Sequence, residues 1–228
     1  WLDLSEIGRF NAAPVGERVK LSADSLAVLR AAKHAYTATG GTFDATIGPL
    51  IMLWKGGAKE NRLPTAAELE AARAASSWEL VQIDDDGAAR LGAGVRVDLG
   101  GVAKGYAIDR GIAAMRNLDI PAGVVEVGGD VRVYGELEEG NGWEVGVRDP
   151  ADKEKTIATL RLRDRAVCTS GNYARWVTIQ GKRYSHIIDP RDRQPTGRAP
   201  SVTVIAPTAM EADIWATALS ILGVEGLA

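Results

Sequence analysis

Near its C-terminus the chain places an acid and a hydroxyl group, Asp213 and Thr217, within the apolar segment TAMEADIWATALSILG (208–223). In a helix, residues four positions apart lie on the same face, one turn from each other. The segment opens on the pattern of a capping box, Thr208 with Glu211, so Asp213 is not needed as the N-cap. Two interpretations of Asp213 remain: a solvated acid favoured by the helix dipole, or an oxygen ligand directed at a cation.

A second group of candidate residues lies in the segment RVDLGGVAKGYAID (96–109). We expect a strand that ends in Asp98, a turn at Gly100 and Gly101, and a helix with Lys104 in its first turns. Free N–H groups and the dipole at the start of such a helix favour an anion. The segment matches neither the Walker A nor the dinucleotide-binding pattern. Phosphate binding and a plain strand-to-helix turn with a solvated lysine therefore both stay open.

A histidine and a serine follow further along the chain, in RYSHIIDP (183–190) and TSGNYARW (169–176). Ser170 and His186 could suggest a nucleophile and its base, but no G-x-S-x-G motif surrounds Ser170, and a serine hydrolase is disfavoured. The only other histidine, His34, is expected at the surface of a helix. His186 is either a partly buried strand histidine or a ligand contact or general base.

Two glycine-rich motifs are ambiguous when taken alone. TGGTFDATIGPL (39–50) reads as a loop that buries Phe43. EVGGDVRVYG (126–135) reads as a hairpin turn between two apolar strands. Glycines at such a turn could also bring the backbone close to a ligand.

These segments must be positioned by helices and strands, which the apolar periodicity predicts. Ser22 is the expected N-cap of the first helix, and Thr65 with Glu68 has the pattern of a capping box at the second. Helices are predicted over 21–41, 64–76, 102–117 and 208–223, and short strands within 78–101, 122–135, 142–150, 156–164, 166–170, 175–190 and 201–207. The order predicts an α+β fold, a single domain over 1–228 with a largely antiparallel sheet packed against helices.

The composition excludes several classes of function. A net charge of −3 argues against nucleic-acid binding and against binding to an anionic membrane. The single cysteine, Cys168, can form no intrachain disulfide and is expected in the core. No segment approaches the roughly 20 apolar residues of a membrane span. The chain begins at Trp1 without a methionine, so we expect a trimmed chain that could have lost a targeting segment.

Seven segments, in this order along the chain, resemble the ApbE-like family of FAD:protein FMN transferases. They are SEIGRFN, GGTFDATIGPL followed by LW, VDLGGVAKGYAID, EVGGDVRVYG, TSGNYARW, GKRYSHIIDP and ADIWATALSILG. The resemblance implies a single α+β domain that binds FAD with Mg²⁺ in a cleft. It implies cleavage of the FAD pyrophosphate and transfer of FMN to a Thr or Ser hydroxyl of a partner protein, with release of AMP.

The resemblance also assigns roles to individual residues. It implies that Asp213, Thr217 and the backbone carbonyl of Gly101 bind Mg²⁺, and that His186 accepts the proton of the acceptor hydroxyl or orients the flavin. It implies contacts to FAD at Trp1, Thr42, Phe43, Asp44, Asp98, Lys104, His186 and Ile187. The sequence departs from the family pattern in two places. Asp192-Arg193 stands where Thr-Gly is common, which we expect to alter only a surface turn. Ala216 stands where some relatives carry a second acid, which we expect to lower the affinity for the metal.

The partner implied is an acceptor flavoprotein of a redox chain, and the implied location is the periplasm or cell envelope, with membrane attachment only through an N-terminal anchor. Two alternatives share the same cleft. One is an FAD pyrophosphatase, in which water replaces the acceptor hydroxyl and the products are FMN and AMP. The other is a flavin-binding protein without turnover.

Overall fold

The computed structural model describes residues 4–136, 140–152, 154–171 and 176–227. Trp1, a predicted FAD contact, lies outside these residues. The chain forms two compact units, Trp1–Gly100 with Trp176–Thr196, and Gly101–Arg175 with Gly197–Ala228. Both combine helices with antiparallel strand pairs, which confirms the predicted α+β class. The single domain over 1–228 stays a prediction.

Helices and strands follow one another in an irregular order. The helices are α1 Glu6–Ala12, α2 Ala23–Ala38, α3 Gly48–Lys59, α4 Ala66–Ala74, α5 Ala103–Asn117 and α6 Ala209–Leu222. The strands are β1 Arg18–Lys20, β2 Val81–Ile83, β3 Gly87–Arg90, β4 Gly123–Val127, β5 Asp130–Tyr134, β6 Trp143–Arg148, β7 Thr156–Leu162, β8 Arg165–Gly171, β9 Trp176–Ile179, β10 Lys182–Ser185 and β11 Ser201–Ala206. Within the described residues, no helix is both long and apolar enough to cross a bilayer.

The predicted helix caps are present. The Ser22 hydroxyl accepts a hydrogen bond from the Ser25 N–H at the start of α2. Thr65 and Glu68 form a complete capping box at α4. The Thr208 hydroxyl accepts from the Glu211 N–H, which is one of the two bonds of the predicted capping box, and α6 begins where the sequence predicts. These short-range bonds satisfy N–H groups that the first helical turn leaves free.

The first unit, 1–100 with 176–196, holds a three-stranded sheet in the order β1-β3-β2 and the hairpin β9–β10. Its buried cluster joins α3 to this hairpin, and Tyr184 packs against it. The cluster comprises Leu50, Trp54, Ile179 and Ile188. The indole N–H of Trp54 donates to the Arg193 carbonyl at 3.0 Å, so the chain after β10 is fastened to α3.

The second unit, 101–175 with 197–228, holds a four-stranded antiparallel sheet in the order β11-β8-β5-β4. Helices α5 and α6 cover one face through a cluster of mostly small side chains, where alanines permit close approach. The cluster comprises Ile108, Ala166, Cys168, Ala206, Ala209, Ala212 and Ala216. A second buried cluster joins Val133 and Val167 to Leu162 of β7, and further side chains of the β6–β7 pair pack against it. Cys168 is therefore a core residue, as predicted.

The predicted strand that ends in Asp98 is wrong. The segment 95–98 makes one isolated bridge, between Arg96 and Ile47, and no ladder. Its alternating pattern is nevertheless satisfied, because Val95 and Val97 are fully buried. The backbone of Val97 is paired with a side chain instead of a neighbouring strand: its N–H donates to Oδ1 of Asn11, and its carbonyl accepts from Nδ2 of Asn11.

Candidate functional site

A charged cluster lies where α5 begins, in the second unit. Lys104, the second residue of α5, is half-buried, and its ammonium donates a hydrogen bond to the carboxylate of Asp130. Its Nζ also lies 3.7 Å from Oδ1 of Asp213 on α6. Burial works to lower the pKa of Lys104, but the charges of Asp213 and Asp130 outweigh it and raise that pKa. The cluster therefore holds a cation between two acids.

Asp213 is buried, with 3% of its surface exposed, so the interpretation as a solvated acid is wrong. Its Oδ2 accepts a hydrogen bond from the Gly105 N–H at 3.1 Å. Burial raises the pKa of Asp213 to about 6, with Lys104 opposing the shift and Asp130 adding to it. A carboxylate this buried needs a compensating positive charge. Lys104 supplies part of it, and a metal cation at the same carboxylate would supply more.

Asp130 completes the charged cluster, although its place in the sequence does not indicate this. It follows Gly128 and Gly129, which take positive φ values of 62° and 93° in the predicted hairpin turn. The side chain is 1% exposed, and its Oδ1 accepts from the Thr169 N–H at 2.9 Å. A turn acid is usually solvated, and nothing local distinguishes this one. The signal lies in Lys104, 26 residues earlier, and only the fold brings the two together.

Thr217 lies one turn after Asp213 on α6, as predicted, and is half-buried. Its Oγ1 is 3.5 Å from Oγ of Ser170 on β8. Gly101 belongs to the same unit, in the turn before α5. The second unit therefore contains all three predicted metal ligands.

The donor chemistry of these residues fits Mg²⁺. A carboxylate, a hydroxyl and a carbonyl are hard oxygen donors, which Mg²⁺ prefers together with water and phosphate oxygens. The described part of the chain contains no group of three or more His, Cys, Asp or Glu side chains suited to a metal ion. A zinc-type site is thus absent from those residues, whereas a site with a single carboxylate needs no such group. The buried, partly compensated Asp213 is the residue that such a cation would satisfy.

The first unit gathers the loop predicted to contact FAD. Thr42 and Phe43 are buried, and the Phe43 N–H donates to the Thr39 hydroxyl at 2.9 Å. Asp44 Oδ1 accepts from both the N–H and the hydroxyl of Thr46, at 2.8 and 2.7 Å. Burial raises the pKa of Asp44, and the bonds from Thr46 oppose that rise. The loop is held rigidly by its own side chains.

Asp98 joins this loop. Its N–H donates to the Ala45 carbonyl at 2.8 Å, next to Asp44. Its own Oδ1 accepts from the Gly100 N–H at 2.7 Å, which closes the turn. A predicted FAD contact from 96–109 therefore lies beside those from 39–50.

His186 directly follows β10 and is exposed, so the interpretation as a partly buried strand histidine is wrong. The next residue, Ile187, is buried. Its N–H donates to the Ser185 hydroxyl at 3.0 Å, and its carbonyl accepts from the Thr196 N–H at 2.9 Å. These bonds fix the backbone on which His186 stands. His34 is exposed, as predicted.

The two departures from the family pattern have structural consequences. Arg193 takes a left-handed φ of 65°, a conformation that favours glycine. Asp192 is exposed in the turn, but the Arg193 carbonyl is engaged by Trp54. Ala216 is fully buried in the alanine-rich cluster. The lower metal affinity expected from Ala216 stays a prediction.

Known proteins are similar to this chain in both sequence and fold. The sequence model of the ApbE family matches residues 1–228, which confirms the resemblance. A FAD:protein FMN transferase of Vibrio cholerae is 34% identical over 225 residues, which are 97% of this chain and 67% of that protein. One from Klebsiella pneumoniae is 35% identical over 233 residues, 99% of this chain and 67% of that protein. The chain thus spans about two thirds of the length of these relatives.

Two solved structures are similar as well. The ApbE protein of Thermotoga maritima matches with a TM-score of 0.86 at 37% sequence identity. The match covers 96% of this chain and 71% of the Thermotoga chain. The flavin transferase ApbE of Vibrio cholerae matches with a TM-score of 0.84 at 34% sequence identity. That match covers 98% of this chain and 72% of the Vibrio chain. Fold and sequence point to the same family.

Proposed function

This chain belongs to the ApbE family, and we propose that it acts as an FAD:protein FMN transferase that requires Mg²⁺. The enzyme cleaves the pyrophosphate of FAD and attaches FMN through a phosphoester to a Thr or Ser of a partner flavoprotein, releasing AMP. The observation that carries the proposal is the buried Asp213 beside Lys104 at the start of α5. That arrangement suits a polyanionic substrate bound together with a cation.

Asp213, Thr217 and the carbonyl of Gly101 would hold the Mg²⁺ ion. When bound, the ion neutralises pyrophosphate oxygens and the charge that develops as AMP leaves. Asp213 is suited to this because burial and the Gly105 N–H fix its carboxylate. Thr217 presents its hydroxyl from the next turn of the same helix.

Lys104 binds the pyrophosphate as a point charge. Its bond to Asp130 holds the side chain in place, and the raised pKa keeps it protonated. An ammonium already oriented stabilises negative charge in the transition state without reorganisation. Asp130 therefore orients Lys104.

Transfer is a displacement at phosphorus. The acceptor hydroxyl oxygen forms a bond to the FMN phosphorus while the bond from that phosphorus to the bridging oxygen breaks, and AMP leaves with that oxygen. His186 accepts the hydroxyl proton or orients the flavin. Its exposure suits the first role, because the hydroxyl belongs to another protein.

Thr42, Phe43, Asp44, Asp98 and Ile187 contact the flavin nucleotide. This assignment is supported by the hydrogen bond from the Asp98 N–H to the Ala45 carbonyl, which joins Asp98 to the 42–46 loop. A preformed loop of this kind orders little on binding and so costs little entropy.

We also propose that the protein works in the periplasm or cell envelope and serves a flavoprotein of a redox chain. The proposal rests on the resemblance to a family whose members are typically exported. Fractionation of cells that express the tagged protein tests it, with recovery in the cell envelope as the expected result. Recovery of all the protein with cytoplasmic markers would contradict it.

Substitution of Asp213 tests the proposed function. Asp213→Asn keeps an oxygen for the Gly105 N–H but removes the charge that binds the cation. We expect FAD cleavage to fall by about 100-fold or more, in line with the loss of a metal ligand. Glu211→Gln is the matched control, since Glu211 is an exposed acid in the same helix and should leave turnover unchanged. Normal turnover of Asp213→Asn at saturating Mg²⁺ would contradict the assignment.

A further inference from the structure

A carboxylate outside the predicted site holds the two site helices together. Asp109 lies on α5, five residues after Lys104, and faces the start of α6. Its Oδ1 accepts from the Ala209 N–H at 2.9 Å, and its Oδ2 accepts from the Met210 N–H at 3.0 Å. These are the first two residues of α6, whose N–H groups have no partner inside their own helix. One carboxylate of α5 thus caps the neighbouring helix.

A second contact fixes Asp109 to the sheet. Nη1 of Arg132, on β5, donates to Oδ1 of Asp109 at 2.5 Å. Both side chains are largely buried, with 16% and 17% exposed. A bond between ionised partners in this setting is strong and directional. Sheet, α5 and α6 therefore meet at one carboxylate.

The same crossing sets the geometry of the site. Gly105 lies so close to α6 that a Cβ added there would be 2.3 Å from the Ala209 carbonyl oxygen. The Gly105 N–H in turn donates to Asp213. A slide of α6 along α5 would change this contact and the 3.7 Å separation of Lys104 from Asp213 together. Asp109 opposes such a slide because its carboxylate accepts hydrogen bonds from the first two residues of α6.

We propose, on the premise of the function proposed above, that Asp109 is a positioning residue for the Mg²⁺ site. Held by Arg132, it fixes the start of α6 against α5, so that Asp213 and Thr217 keep the place where they bind the cation. Thr208 caps the same helix end at a different group, the Glu211 N–H, so the two caps can be removed separately.

Thr208 provides the matched control. Thr208→Ala removes a cap from the same helix start yet leaves the contact between α5 and α6 untouched. Asp109→Ala removes the contact between the helices. Asp109→Asn is the conservative variant, which keeps an oxygen acceptor but loses the charge. If Asp109 acts only through stability, Thr208→Ala and Asp109→Ala should raise the Kd for Mg²⁺ by the same factor for the same loss of stability.

The experiment is a calorimetric titration of Mg²⁺ alone into the wild type and the three variants, with thermal unfolding of each. Asp213→Asn supplies the baseline for binding elsewhere. We expect Asp109→Ala to raise the Kd for Mg²⁺ about tenfold or more, as for residues that orient metal ligands. Thr208→Ala should change it less than about twofold, with Asp109→Asn between them.

The outcomes separate this inference from the proposed function. If the wild type binds Mg²⁺ and transfers FMN but Asp109→Ala matches Thr208→Ala, only the positioning role is overturned. If Asp109→Ala does not fold, a wild-type Kd in Asp109→Asn overturns it in the same way. If the wild type binds no more Mg²⁺ than Asp213→Asn, both the inference and the proposed metal site are wrong.

Discussion

Lys104 and Asp213 face each other where α5 and α6 cross, with Nζ 3.7 Å from Oδ1. The lysine nevertheless gives its hydrogen bond to Asp130, on the neighbouring sheet. The ammonium is thus oriented by Asp130 and lies beyond hydrogen-bond distance of Asp213. The charge of the buried Asp213 is therefore only partly compensated by Lys104.

Asp130→Asn should damage turnover without removing any proposed ligand. The variant removes the charge that holds Lys104, so the lysine should turn toward Asp213 and compete with Mg²⁺. We expect about tenfold slower FAD cleavage, a higher Mg²⁺ requirement, and a loss of unfolding free energy of about 2 kcal/mol, as for a hydrogen bond between charged groups. Steady-state rates across a range of Mg²⁺ concentrations and chemical denaturation measure these quantities.

The control for Asp130 is Asp152→Asn, which removes an exposed pair with Lys155. Exposed pairs contribute little, so stability should change by less than about 0.5 kcal/mol and turnover should not change. An Asp130→Asn variant that keeps the wild-type Mg²⁺ requirement would argue against competition by Lys104.

Gly105→Ala should destabilise the protein because the two helices leave no space for a methyl group. The nearest atom is the Ala209 carbonyl oxygen, which belongs to the backbone and cannot turn aside. We expect a loss of about 1–3 kcal/mol. Gly56→Ala, in α3, meets nothing within 4 Å and should gain about 0.5–1 kcal/mol from helix propensity. Equal effects of the two substitutions on Tm would be inconsistent with the close crossing.

Arg193→Gly should raise stability. Arg193 holds a left-handed φ of 65°, which costs a residue with a side chain about 1–2 kcal/mol. Its ion pair with the exposed Glu70 contributes less than about 1 kcal/mol to the free energy of unfolding. Arg193→Ala keeps the strain and loses the pair, so it should be less stable than the wild type. The order of the three Tm values, glycine highest and alanine lowest, checks the prediction, and a lower Tm for the glycine variant would refute it.

Cys168 should resist thiol reagents in the native state. The side chain is 1% exposed, and its Sγ lies 3.4 Å from the Ala209 carbonyl. Burial raises the pKa of the thiol well above its usual range, and the charges of Asp130 and Asp213 add to the rise. Thiolate is the reactive form, so little of it exists below pH 9. Reaction with a colorimetric disulfide reagent at pH 8 should require denaturant, and rapid native labelling would contradict this burial.

Local patterns explain why much of the fold was predictable. The caps at Ser22, Thr65 and Thr208 act within four residues, so they are visible in the sequence and mark α2, α4 and α6 correctly. The sequence pattern predicts neither α1 nor α3. The start of α3, Gly48-Pro49, lies inside a glycine-rich motif that reads as a loop, and the pattern gives no cap signal there.

The site was predictable only in part, because its contacts span long stretches of chain. Asp213 and Lys104 could be picked out by residue type and helix position. Their partners could not: Asp130 follows a pattern typical of a hairpin turn, and no local pattern singles out Asp109. The strand predicted to end at Asp98 failed for a similar reason, since a distant asparagine side chain replaces the neighbouring strand.

The proposed transferase function is tested most directly by product analysis after incubation of the protein with FAD, Mg²⁺ and an acceptor flavoprotein. We expect a covalent phosphoester-linked FMN on a Thr or Ser of the acceptor, one AMP released for each FMN attached, and no reaction when Mg²⁺ is chelated. Intact-mass spectrometry of the acceptor and chromatography of the nucleotides measure both products. Free FMN with AMP and an unmodified acceptor would identify a pyrophosphatase, and intact bound FAD would identify a carrier; either result would overturn the proposed transferase function.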